Sequence, residues 1–264
     1  MDLQLKNKTA LVTGATAGIG LAIARTLARE GAVVAITGRG QDKLDAAVEA
    51  IRAAAPGAAV TPILADLSTP EGARAVTTAM GEADILVNNL GYYEGKPFAE
   101  ISDEDWMRMF GLNVMSGVRL ARHYFPRMLE KNTGRVIFVS SEVAAFTPPD
   151  MIHYGVSKSA QLAVARGLAE LTRGTGVTVN SVLPAATRSD GIVDYLRQTA
   201  PRPGMTDAEI EAHFFASYRP SSLIARMIEA DEVAAMVALL ASPLGAASNG
   251  AAVRVEGGSY RSIL

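Results

Sequence analysis

Short runs of Val, Ile and Leu recur along the chain, and the stretches between them repeat apolar residues at helical spacing. The runs at 9–13, 33–37, 60–64, 84–88, 135–140, 177–183 and 252–255 predict strands. Several are continuous rather than alternating, the pattern of strands covered on both faces in a parallel sheet. Helical patterns fill the gaps, at about 18–30, 41–54, 70–81, 102–130, 151–173 and 231–241. Ser102 followed by Asp105 reads as a capping box, and Pro70 after Ser68-Thr69 places a proline in a first helical turn. Strand–helix alternation predicts an α/β fold: one domain over 1–264, a doubly wound parallel sheet of about seven strands with helices on both faces.

The segment 188–228 breaks that rhythm. Pro201, Pro203, Gly204 and Pro220 interrupt it, and Tyr195, Phe214, Phe215 and Tyr218 supply rings. A long late insertion of this kind is expected to be a lid over a ligand, against the plainer reading of a surface excursion with its own small core.

Composition narrows the function. Lys and Arg (25) nearly balance Asp and Glu (27), and no basic stripe is visible, which argues against a nucleic-acid partner. The absence of Cys rules out disulfides, thiolate metal sites and a cysteine nucleophile, and suits the cytoplasm. No apolar run approaches the roughly 18 residues a membrane span needs, and the N-terminal stretch lacks a signal-peptide pattern. No metal site is expected.

The first strand runs into Thr13-Gly14-Ala15-Thr16-Ala17-Gly18-Ile19-Gly20, and a helix follows. Gly14 permits the tight turn, Gly18 lets backbone approach a pyrophosphate, and Gly20 lets the helix lie close to the strand. The helix N-terminus then offers unpaired N–H groups to phosphate. Such a turn, in strand–turn–helix context, predicts dinucleotide binding.

This spacing resembles that of the short-chain dehydrogenase/reductase family, including its 3-oxoacyl-[acyl-carrier-protein] reductases. The resemblance runs from about residue 8 to about residue 258. Asn88-Asn89-Leu90-Gly91 is similar to the family's NNAG motif, with Leu90 in place of Ala. Asp66-Leu67 matches the pair that contacts adenine, and Glu256-Gly257-Gly258 resembles a C-terminal DGG. The resemblance implies a Rossmann-type sheet and an NAD(P)-dependent interconversion of an alcohol and a ketone or aldehyde. The cofactor set it implies is Gly14, Thr16, Gly18, Ile19, Gly20, Arg39, Asp66, Leu67, Asn89, Gly91, Tyr154, Lys158 and Thr187. The family usually has Pro-Gly where this chain has Pro184-Ala185-Ala186-Thr187, and Ala resists a positive φ.

The chemistry rests on Tyr154 and Lys158, four residues apart and therefore on one helix face with 161 and 165, distinct from an apolar stripe at 152, 156, 160, 163, 167 and 171. Tyr-x-x-x-Lys alone is weak. Context strengthens it: Ser141 closes the preceding strand, 13 residues before Tyr154, and Asn113 lies on the middle helix. A phenol near pKa 10 is a poor base at neutral pH. An ammonium about 5 Å away, at an effective dielectric of about 20, favours the phenolate by roughly 3 kcal/mol. Tyr154 is then the general acid/base. Ser141 would donate to the substrate oxygen. By resemblance, Lys158 also holds the nicotinamide ribose, and Asn113 positions a water that links Lys158 to solvent. A non-catalytic dinucleotide sensor of the same fold is the alternative; it has no chemical need for Ser141, Tyr154 and Lys158 together.

After the second strand stands Thr37-Gly38-Arg39, with no carboxylate to accept from a ribose 2′-hydroxyl and with Arg39 placed to meet a 2′-phosphate. NADP(H) is expected over NAD(H), although Ala17 occupies the glycine-turn position where many NADP-using relatives carry a basic residue. The partner is a small carbonyl or alcohol. Tyr92, Tyr93, Glu142, Phe146 and His153 are candidate pocket residues; the plain readings are a solvated or capped His153 and a Glu142 paired to an Arg. Arg188, Arg197, Arg202 and Arg219 share the lid segment with Asp190, Asp194, Asp207, Glu209 and Glu211, which gives it no charge preference. Ala160, Ala163 and Gly167 would let another helix approach closely, and the resemblance implies a homotetramer, with a homodimer next.

Overall fold

The computed structural model describes residues 1–263. Leu264, the last residue of the expected domain, and the side chain of Asp190, one of the lid carboxylates, lie outside the described residues.

The strands are β1 (Thr9–Val12), β2 (Val33–Gly38), β3 (Val60–Leu64), β4 (Ile85–Asn88), β5 (Gly134–Val139), β6 (Val177–Pro184) and β7 (Ala252–Val255). They form one parallel sheet in the order β3-β2-β1-β4-β5-β6-β7. The helices are α1 (Gly18–Arg29), α2 (Gln41–Ala54), α3 (Pro70–Ala79), α4 (Asp103–Phe110), α5 (Ser116–Glu130), α6 (Ile152–Glu170), α7 (Asp190–Gln198), α8 (Asp207–Tyr218) and α9 (Ala230–Ala241). Ile23, Leu27, Leu44, Ile51, Val233 and Val237 of α1, α2 and α9 cover one sheet face. Val76, Leu120, Tyr124, Phe125 and Ala165 of α3, α5 and α6 cover the other. Strand order reverses between β1 and β4, and in such sheets ligands bind outside the carboxyl ends of the strands at that reversal.

The sheet opens there because two glycines let chain segments touch. Gly14 has φ +60°. A Cβ on Gly20 would stand 2.4 Å from Asn89 Nδ2 and 2.5 Å from the Gly14 carbonyl, so α1 could not start so near β1. Asn89 locks the turn by donating from Nδ2 to the Thr13 and Gly14 carbonyls at 2.9 and 3.1 Å. The Thr13 hydroxyl accepts from the Asn89 and Leu90 amides at 2.9 and 3.0 Å.

The predicted caps are present: Ser102 and Asp105 form the box, and Pro70 lies in the first turn of α3 after the Thr69 cap. The helix expected over 102–130 runs from Asp103 to Glu130, with a π turn over Gly111–Met115 between α4 and α5. On α6 the buried face is His153, Gly155, Ser157, Lys158, Gln161, Ala165 and Ala169, whereas Val156 and Leu171 of the apolar stripe are 39% and 64% exposed, so the stripe faces away from the sheet. The polar face turns inward because it meets the site. The 188–228 segment forms α7 and α8 around Leu196, Ile210, Phe215 and Met227, and returns through a bridge between Thr187 and Ile228. No helix among the described residues is long and apolar enough to cross a membrane.

Candidate active site

A cavity of about 580 Å³ lies at the carboxyl end of the sheet. Its lining includes Ala17, Gly18, Ile19 and Gly20 from the start of α1, Asn89 and Gly91 after β4, Ser141 after β5, Tyr154 of α6 and Thr187 after β6. Of the other expected residues, Gly14 and Thr16 lie within the glycine turn. Thr16 packs so closely on the end of β2 that a Cβ on Gly38 would stand 2.5 Å from its methyl group. Asn113 and Lys158 lie buried behind the cavity wall.

Lys158 is the centre of the arrangement. Its ammonium donates to the Val139 carbonyl at 3.0 Å and to Gln161 Oε1 at 3.2 Å, and lies 5.8 Å from the centre of the Tyr154 ring. Gly91 makes room for it, since a Cβ there would stand 3.3 Å from Nζ. Ser140 donates to the Lys158 carbonyl at 2.9 Å, whereas the Ser141 hydroxyl stands beside the Tyr154 phenol. Burial lowers Lys158 from the usual 10.5 to about 7. Burial likewise raises Tyr154 to about 12, opposed by the Ser141 hydroxyl and reinforced by Tyr93 and Glu142. The expectation that Lys158 brings the phenol down is therefore not met in the chain by itself. Desolvation outweighs a cation held by two other acceptors, and it also strips that cation of its proton near neutrality.

Asn113 sits in the π turn, a feature that often marks functional positions in helices. Its Nδ2 donates to Ser157 Oγ at 2.8 Å and to the Tyr92 carbonyl at 2.9 Å, and its Oδ1 accepts from the Tyr92 amide at 2.7 Å. The Asn113 backbone carbonyl accepts from Gln161 Nε2 at 2.5 Å. Gln161 thus spans Asn113 and Lys158 directly. Spacing places position 161 on the Tyr154/Lys158 face without giving it a role; the available signal was an amide on the same face as that pair.

The site fits a dinucleotide on its own donors. Ala17 supplies no side-chain cap to α1, so the N–H groups of the first turn are open toward the cavity, beside Gly18 at φ +52°. Arg39 lies exposed at the end of β2, close enough for its charge to help lower Asp66, whose carboxylate is held down chiefly by the Ser68 hydroxyl. Leu67 is buried beneath it. Thr187 lines the cavity and donates to the Ala185 carbonyl at 2.9 Å. Neither Ala185 nor Ala186 takes a positive φ, so the missing glycine leaves the backbone unstrained.

A profile of the short chain dehydrogenase family matches residues 8–199. The chain belongs to that family. This dehydrogenase is 46% identical over 263 residues to the uncharacterized oxidoreductase YvaG of Bacillus subtilis (strain 168), covering 100% of both chains. It is 30% identical over 264 residues to the 3-oxoacyl-[acyl-carrier-protein] reductase FabG of Vibrio cholerae, covering 98% of this chain and 99% of that one. The L-sorbose reductase of Gluconobacter frateurii, solved with NADPH and L-sorbose, superposes with a TM-score of 0.92 at 30% identity over 100% of both chains. This dehydrogenase is an NAD(P)-dependent oxidoreductase that interconverts alcohols and carbonyl compounds.

Among the candidate pocket residues, Tyr93 and Glu142 line the cavity, while Tyr92 lies under the Arg108 guanidinium. His153 is neither solvated nor capped. It is wholly buried against Trp106 with both ring nitrogens lacking a hydrogen-bond partner, and Nε2 is 3.6 Å from Glu94. Arg188 pairs with Glu211 and Glu229, and Arg197 with Asp194 and Asp207, so these lid arginines are neutralised within the chain.

The lowered Lys158 has a consequence for stability. Between about pH 7 and 10.5 the unfolded chain binds a proton at this position that the folded chain does not, so stability rises with pH across that window. The slope contributed by this group is at most about 1.4 kcal/mol per pH unit. Urea midpoints of the wild type should climb from pH 7 to 9 relative to Lys158→Met; parallel curves would show that Lys158 is not depressed. Tyr154 acts with the opposite sign only above pH 10, where the unfolded phenol loses its proton first.

Proposed function

We propose that Tyr154 is the general acid/base of an NADP(H)-dependent carbonyl reduction and alcohol oxidation, carried by the convergence of Ser141, Tyr154 and the α1 N-terminus on one cavity with Lys158 behind it. When bound, the nicotinamide supplies or accepts the hydride at the reacting carbon. Ser141 donates to the substrate oxygen, and Tyr154 gives its proton to that oxygen as negative charge develops. A phenol raised to about 12 is fully protonated at neutral pH, which is the form reduction needs. Oxidation needs the phenolate and is favoured by alkaline pH. Lys158 is held toward Tyr154 by Gln161 and Val139, and Asn113 anchors Gln161. A non-catalytic sensor would gain nothing from a buried lysine aimed at a tyrosine.

Arg39, free of hydrogen bonds within the described residues, is the group that favours a ribose 2′-phosphate. The 188–228 segment serves as the lid: Ser189, Ile192, Tyr195, Leu196, Phe214 and Arg219 reach the cavity from it. The exposed stripe of α6, with Val156, Leu171, and a Gly167 whose absent Cβ would meet nothing, is proposed as an assembly face for a homotetramer, a homodimer being the next choice. The cytoplasm is the proposed location.

Tyr154→Phe should cut turnover of any carbonyl substrate by at least about a hundredfold while NADPH binding, followed by fluorescence, stays near wild type; substantial residual activity would refute the assignment. Arg39→Asp should reverse the ratio of kcat/KM for NADPH over NADH, and an unchanged ratio would remove Arg39 from the cofactor site. Solution scattering at micromolar concentration should give a tetramer or dimer; a monomer rules the assembly face out.

A further inference from the structure

One charge pair at the cavity wall is given no step in the proton and hydride transfer. Glu142 directly follows Ser141, is 3% exposed and lines the cavity. Its Oε1 accepts from Nε of Arg219 at 3.1 Å. Arg219 arrives from the other end of the lid segment, just past α8, where its guanidinium lies 5.8 and 5.5 Å from the ring centres of Phe146 and Phe214. Its Nη1 donates to the Tyr218 carbonyl at 2.8 Å, and Nη2 makes no hydrogen bond among the described residues. Glu142 Oε2 is also without a partner. The Ser259 hydroxyl stands nearby but donates to the Glu256 carbonyl at 2.8 Å. The pair therefore leaves one buried acceptor unpaired, Glu142 Oε2, beside a guanidinium nitrogen, Arg219 Nη2, that has no partner among the described residues.

Stability does not explain this. A buried ion pair is commonly no better than apolar side chains of the same size, and a buried unpaired oxygen is worse. The rest of that wall, with Val143, Met151, Ile192, Leu196 and Phe214, would accept a plain ketone without any charge. Glu142 and Arg219 cancel in formal charge, so an anionic substrate group gains little from them. A hydroxyl satisfies both, donating to Glu142 and accepting from Arg219. The Glu142 carboxylate also lies near enough to the Tyr154 phenol for its charge to bear on it, so a hydroxyl held by Glu142 lies close to the reacting oxygen.

We propose that Glu142 and Arg219 form a hydroxyl-binding clamp, and that the substrates of this site are neutral α-hydroxyketones and the corresponding vicinal diols. The inference rests on the Tyr154 chemistry proposed above and adds the substrate class. A site built to hydrogen-bond a substrate hydroxyl rejects the analogue lacking it, because its own buried groups are then left unpaired.

The test compares acetoin with butanone, which share a carbon skeleton, using NADPH and the intact protein. The wild type should favour acetoin in kcat/KM on the order of 100-fold or more. Glu142→Leu combined with Arg219→Met should bring the two substrates toward parity, with butanone turnover kept or raised; if that variant no longer binds NADPH, Arg219→Met alone serves in its place. Equal use of both by the wild type, or an undiminished preference in the variant, overturns the clamp. If the wild type reduces neither compound, acetoin is titrated into its NADPH complex and the change in cofactor fluorescence is read. A change lost in the variant sustains the clamp and sinks the Tyr154 chemistry; no change in the wild type overturns both.

Discussion

The structure is organised around burying one lysine amine. Lys158 is 3% exposed, and its Nζ is held by a strand-end carbonyl, Val139, and by a side-chain amide, Gln161. A cation in that position is costly unless it is hydrogen-bonded. Each local departure from regular structure nearby serves the need. Gly91 keeps a methyl group from crowding Nζ. The π turn presents the Asn113 carbonyl to Gln161. Ser140 ties the α6 backbone to the end of β5.

That constraint also explains which parts were legible in sequence. All seven strands and their parallel arrangement follow from continuous Val/Ile/Leu runs, because a strand covered on both faces leaves no polar alternation. The glycine turn is legible because positive φ and close approach require glycine at Gly14 and Gly20. On α6 periodicity separates two faces without saying which turns inward: the apolar stripe faces outward and the inward face carries His153, Ser157, Lys158 and Gln161. Burial of polar groups depends on partners far away in the chain, such as Asn113 for Gln161, and local pattern does not contain them. The π turn is hidden for a related reason: one extra residue per turn leaves no compositional mark.

Tyr154 and Lys158 show a second limit of reading by spacing. Four residues on a helix place a cation near a phenol, and Coulomb attraction alone predicts a lowered phenol. In the folded chain the same burial that strengthens the attraction penalises both charged forms, and the pair settles toward neutral lysine and neutral tyrosine. Such a site is poised as a proton donor. Making it a base takes alkaline pH or positive charge brought from outside the chain, and the second route would link the direction of proton transfer to what occupies the cavity.

The walls of the cavity follow a different logic from its floor. Floor residues come from strand ends and the α1 N-terminus, elements fixed by the sheet. The outer wall comes from α7 and α8, which have a separate small core and reach the sheet through the Thr187–Ile228 bridge. In the reading proposed above, chemistry is held by elements of the sheet and recognition by an attached part with its own small core. Arg219 joins the two, crossing from the α8 end to Glu142 beside Ser141. Because that contact is an ion pair rather than an apolar one, its two partners must change together, and a change in either alone leaves a buried charge unpaired.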